Sequence, residues 1–134
     1  MSQADIKSAL ETALGTVTPS LATAFENTSY KPVIGTPYQD VNFVFAAPLN
    51  EEYGSNYQET GYMQITLRYP QNVGTKDIDA RIALIRDKFK RGNSFVKNSI
   101  TTTISRTLEV RPGFQDGERY VKPLFVKFVT NMIA

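Results

Sequence analysis

Cysteine and histidine are both absent from this chain of 134 residues. Without them the usual zinc and haem sites lose their ligands, and thiol or serine–histidine nucleophilic catalysis loses its key groups. A chain without cysteine is compatible with any redox compartment. Long apolar runs are missing too. No stretch approaches the roughly 20 residues of a membrane-spanning helix. The opening MSQADIKSAL carries Asp5 and no apolar block, so it does not read as a signal peptide. Nor is there an excess of one charge. The net charge is +2 with both signs interspersed, which suits solubility and does not by itself point to nucleic acid. Repeats, low-complexity tracts and linkers are lacking. What remains is enough for one domain. A chain of this size buries roughly two-thirds of its unfolded surface and needs no metal or disulfide to hold a core.

The stretch 61–95 organises the rest. Met63, Ile65 and Leu67 alternate with Gln64, Thr66 and Arg68, the period of a half-buried strand. A Pro/Gly turn follows. Ile78, Ile82, Ile85 and Phe89 then recur at helical spacing, after Thr75 as a cap and before Gly92 as a stop. The two apolar faces are close in sequence and must cover each other, which predicts a helix laid on a sheet. Asp77 and Asp79 fall in the first helical turn, whereas Arg86, Lys88, Lys90 and Arg91 crowd its end. That order complements the helix dipole, which is the plain explanation of the basic cluster. The alternative is a surface facing a subunit, a partner or phosphate.

Upstream, residues 2–14 read as a helix. Ser2 caps it, Ile6, Leu10, Ala13 and Leu14 form a thin apolar stripe, and Gly15 and Pro19 end it. A stripe this thin predicts a helix at the edge of the core. Residues 21–25 fit a short strand and a helical turn equally. Pro32, Gly35 and Pro37 make 27–37 an extended excursion. Residues 38–45 predict a strand with Val41, Phe43 and Phe45 on one face. The connection 49–60 is polar, with Glu51, Glu52, Tyr53, Tyr57 and Glu59. Hairpin loops usually hold about 2–5 residues, so this one is either a binding element or a tolerated insertion.

Downstream, Ile100, Thr102, Ile104, Leu108 and Val110 share one parity, which predicts a long strand over 97–110. Arg106 interrupts its face and marks a bulge or an exit from the core. Pro112-Gly113 and Asp116-Gly117 bracket a turn. Residues 118–130 return as a strand with two apolar faces, Leu124, Val126 and Phe128 on one and Val121, Phe125 and Val129 on the other. In a one-domain antiparallel sheet a helix covers one such face, and a second subunit is the expected cover of the other. Pro123 cannot donate to a ladder and predicts an edge or a bulge. The result is a single α+β domain over 1–134. Two helices pack on a mostly antiparallel, mixed sheet in the order α-β-β-β-α-β-β.

Chemistry is hard to find. The acid pairs Glu51/Glu52, Asp77/Asp79 and Asp116/Glu118 sit in a loop, a helix start and a turn, and each location explains acids without catalysis. Gly74-Thr75-Lys76 lacks the glycine and Lys-Ser/Thr order of a phosphate loop and reads as turn plus cap. Asn27-Thr28-Ser29 matches a glycosylation acceptor by chance. Most phenylalanines fall in core phase, which leaves no aromatic-basic RNA-binding pattern. No catalytic, cofactor or metal residues emerge.

A resemblance adds a function. Phe25-Glu26-Asn27 with Tyr30, Pro32, Gly35, Pro37 and Tyr38, then a strand closing in Ala47-Pro48, resembles the first half of the tail-terminator-like proteins of long-tailed bacteriophages. The run 61–67 with Tyr69-Pro70 and Gly74, the helix to Phe89 and Gly92, and the ending from Asp116 through Pro123 and Leu124 are similar to the second half. The resemblance implies that 21–25 is a strand. It implies no enzyme and no cofactor. It further implies a virion protein of the tail or neck, forming a ring, usually a homohexamer, assembled in the host cytoplasm. That ring stacks on the tail tube protein, stops its polymerisation and receives the head–tail connector, while genomic DNA passes through the lumen. On this reading Glu51, Glu52, Tyr53, Tyr57 and Glu59 contact the tube or a neighbouring subunit. Arg86, Lys88, Lys90 and Arg91 face a subunit, the tube or the lumen, and a subunit covers Val121, Phe125 and Val129. A head–tail connector or neck protein is the near alternative. A small nucleic-acid-binding domain is the alternative from another class.

Overall fold

The computed structural model describes residues 2–17, 22–24, 36–46, 58–70, 74, 76–117 and 119–131. The chain runs α1 (Ser2–Gly15), β1 (Ala22–Ala24), β2 (Tyr38–Phe45), β3 (Thr60–Pro70), α2 (Lys76–Lys88), β4 (Ser94–Lys97), β5 (Ile100–Ile104), β6 (Glu109–Val110), β7 (Phe114–Asp116) and β8 (Arg119–Thr130). The eight strands form one sheet in the order β1-β2-β3-β8-β5-β4, with β6 and β7 also paired to β8. Among the described residues only β1 runs parallel to its neighbour, β2, and the other pairs are antiparallel. The sheet curls into a half-barrel, and the α+β, mixed-sheet architecture is the one expected from the sequence.

The alternation in β3 decides which way the sheet faces. Met63, Ile65, Leu67 and Tyr69 are buried against the helices. The register sets Val41 and Phe43 of β2, and Leu124 and Val126 of β8, on the same inner face. From α2, Ile78, Ile82 and Ile85 close over this face together with Phe89. The helix α1 was expected at the edge of the core, yet its apolar stripe is fully buried in it. Ile6 and Leu10 are 0% exposed and Leu14 is 1% exposed. Small Ala9 and Ala13 on the buried side let the backbone approach β4 and β5, so a thin stripe suffices.

The stretch 97–110 is not one strand. A two-residue turn at Asn98 (φ 49°) and Ser99 (φ 67°) reverses the chain and makes a β4–β5 hairpin. After Ile104 the chain leaves β5, and the Ser105 N–H donates to the Lys127 carbonyl at 3.0 Å. Arg106 is exposed there, at the exit that its place in the pattern suggested. The chain then returns to β8 as β6 and again as β7.

Thus β8 is the central strand, with β3 along one side and β5, β6 and β7 in turn along the other. Pro123 therefore lies neither at an edge nor in a bulge of its own strand. Its carbonyl accepts the Arg111 N–H at 3.0 Å. The missing N–H points the same way, toward the break between β6 and β7, where no ladder partner is required.

Candidate interaction surfaces

Both helices pack on the inner face, so among the described residues no helix lies over the outer face of β2, β3 and β8. The register builds this face in rows: Tyr38, Arg68 and Val121; Asp40, Thr66 and Pro123; Asn42, Gln64 and Phe125; Val44, Tyr62 and Lys127. The first row is tied up by charge. The Arg68 guanidinium donates to Asp40 and, at 3.1 Å, to Asp116. Burial pushes the Arg68 pKa down, but the hydrogen bond and charge of Asp40 outweigh this and the net shift is upward. Arg119 lies over the Tyr38 ring at 4.8 Å and donates to the Thr36 carbonyl at 2.7 Å. The last rows are open. Val44 is 44% exposed, and Tyr62 meets Phe125 edge-on with centroids 5.1 Å apart. Arg111 stacks on the Phe125 ring at 5.0 Å. Beside it, Arg106, Thr107, Glu109, Phe125 and Lys127 line an open groove of about 320 Å³.

The residues singled out in the sequence fall into three groups. Glu51, Glu52, Tyr53 and Tyr57 lie outside the described residues, as do 27–35, Thr75 and Glu118. Glu59 is described and is only 5% exposed. Its N–H donates to Thr130 Oγ1 at 2.9 Å, its carbonyl accepts the Thr130 N–H at 3.0 Å, and its Oε2 has no hydrogen-bond partner. It acts as a clasp between β3 and β8, not as part of an open loop. The basic residues are split among separate tasks. Arg86 Nη2 donates to the Leu108 carbonyl at 3.1 Å. Lys90 pairs with Asp87 at 3.1 Å, Lys88 borders a groove between α1 and β4, and Arg91 is exposed. Val121, Phe125 and Val129 do share the outer face of β8. Val121 is already 0% exposed in the single chain, while Phe125 and Val129 are half-buried.

Acids are distributed among local ion pairs: Asp40 and Asp116 with Arg68, Asp79 with Lys122 at 3.9 Å, and Glu109 with Arg111 at 3.5 Å. Among the described residues no group of three or more acids could hold a metal ion. Val44, Tyr62, Arg106 and Lys127 were not singled out as surface residues by sequence reasoning. The outward parity of Val44 and Tyr62 was readable. Their meeting with Lys127 and Arg106 depends on a register that only the fold supplies.

No curated protein matches the chain. Eight solved chains match it. One of them superposes with a TM-score of 0.78 at 16% identity, covering 99% of this chain and 95% of its own. That likeness extends to the fold alone. A family profile described as phage tail terminator protein matches residues 5–128, nearly the whole length. The chain belongs to the phage tail terminator protein family.

Proposed function

We propose that this protein caps the phage tail tube as an oligomeric, hexameric ring. In this reading the ring ends polymerisation of the tube protein and gives the head–tail connector its attachment surface. Genomic DNA passes through the lumen without sequence-specific contact, and catalysis has no part. Assembly takes place in the host cytoplasm. Family membership, which makes the protein a structural component of a phage tail, carries the proposal. The outer sheet face supports it, because half-buried Phe125 and Val129 and exposed Val44 leave apolar surface for a neighbour.

Deletion of the gene tests the role. Tails longer than normal identify a terminator. Tails of normal length that fail to join heads identify a connector instead and overturn the reading. Light scattering of the concentrated protein, with negative-stain imaging on tail tubes, tests the ring. A strict monomer that forms no ring on tubes counts against it.

A further inference from the structure

A closed ring needs two different, complementary patches on each subunit, because a head-to-tail contact joins unlike surfaces. Two such patches lie on opposite sides of this molecule. One is the open part of the helix-free sheet face. There the Tyr62–Phe125 pair and Val44 sit beside Arg106 and Lys127, both exposed and neither in an ion pair among the described residues. The other is the outward side of α2. Asp77, Ala80, Leu84 and Asp87 follow one another at helical spacing, all four are exposed, and Leu84 is 40% exposed. Because Ile78, Ile82 and Ile85 turn the other side of α2 into the core, this stripe points away from the sheet.

The two patches match in chemistry and in size. One sets Arg106 and Lys127 at one end of an apolar centre, and the other sets Asp77 at one end of Ala80 and Leu84, while Asp87 at its far end is paired with Lys90 at 3.1 Å. The helical stripe spans ten residue steps, about 15 Å. Val44, Tyr62, Lys127 and Ser105 lie on four adjacent chains, three gaps of about 4.8 Å, hence about 14 Å.

We infer that, in the ring, each subunit lays the outer stripe of α2 on the helix-free sheet face of the next, so that the partner is a second copy of this chain. The inference rests on the ring reading and adds its two surfaces. Leu84 and Ala80 cover the Tyr62–Phe125 pair and Val44, and this apolar contact supplies the affinity. The Asp77 carboxylate, at the end of the stripe that meets Arg106 and Lys127, sets orientation and excludes a face-to-face dimer.

Charge reversal tests it. Wild-type protein is compared with Arg106→Glu/Lys127→Glu, with Asp77→Lys/Asp87→Lys, and with the variant carrying all four changes. Ring formation is followed by sedimentation and by imaging on tail tubes. All four side chains are exposed, so circular dichroism of the monomers stays near wild type, while Asp77→Lys/Asp87→Lys melts somewhat lower because it loses a first-turn acid of α2 and the pair with Lys90. Each double variant is expected to lose association by about a hundredfold, the effect of like charges brought together. The fourfold variant regains it by restoring the pairing with opposite signs. Rings that persist in both double variants, or a fourfold variant no better than either, overturn the assignment of surfaces and leave the ring reading intact. Wild-type protein that forms no ring overturns the ring reading itself.

Discussion

Gly61 shows how one residue can be required by its neighbours. In the register it stands between Phe45 and Phe128, whose rings meet edge-on over it with centroids 5.8 Å apart. A Cβ at this position would run into the backbone of Val44 and Phe45. Backbone cannot swing aside as a side chain can, so Gly61→Ala should cost about 1–3 kcal/mol, the usual cost of overpacking. Urea unfolding measures it, and an unchanged midpoint would show that the sheet yields there. Tyr69 makes a second prediction. Burial raises its phenol pKa above the usual 10.0, with Asp77 adding to the shift and Arg81 opposing it. A group held protonated more firmly in the folded state contributes stability that is present below the unfolded pKa and is lost as pH rises through the folded one. Wild-type melting temperature should therefore fall as pH climbs beyond 10.0, and Tyr69→Phe should fall less steeply.

At the scale of elements, the β4–β5 hairpin depends on two non-glycine residues with positive φ, Asn98 and Ser99. Asn tolerates the left-handed region better than Ser, and its side chain also donates to Asp5 at 2.8 Å. Ser99→Gly should then relieve strain and, after the entropy cost of glycine, stabilise the domain by roughly 0.5–1 kcal/mol. Asn98→Gly should gain less. Denaturant midpoints of the two variants, taken together, check the order. The same hairpin explains a partial misreading. Parity from Ile100 to Val110 is real, but parity carries no sign of a turn just before it. Asn98-Ser99 is a weaker hairpin signal than Asn-Gly, so β4 went unread. The elements α2, β2 and β3 were legible because periodicity, caps and turn residues agree there. The depth of α1 was not, because burial depends on what packs beside a helix, and its neighbours β4 and β5 lie far along the chain.

Over the whole molecule, β8 organises the sheet. It pairs with β3 along its full length and with three successive strands on its other side. Its double apolar character was plain in the sequence, and a second subunit was the expected cover for Val121, Phe125 and Val129. The fold covers part of that face itself. The row holding Arg68 and Tyr38 buries Val121, whereas Phe125 and Val129 stay half-buried and available. Tail length is the readout that belongs to this scale, since ending a polymer is a property of the assembled ring and not of any one side chain.

The sequence by itself determined the class: one α+β domain, a strand–turn–helix unit at 61–95, a chain without cysteine or histidine, and the spacing that marks the tail-terminator family. These follow from local periodicity, from turn chemistry and from which residue types are missing, all of which can be read without knowing what touches what. Tertiary structure decided the rest. It made β8 central, drew Glu59 inside as a clasp, set Arg86 on the Leu108 carbonyl and Lys90 on Asp87, and gathered Val44, Tyr62, Phe125, Arg106 and Lys127 on one open face. That gathering depends on registers that bring Val44 and Lys127 together through Tyr62, 83 residues apart in the chain (127 − 44), and no local pattern encodes such a register.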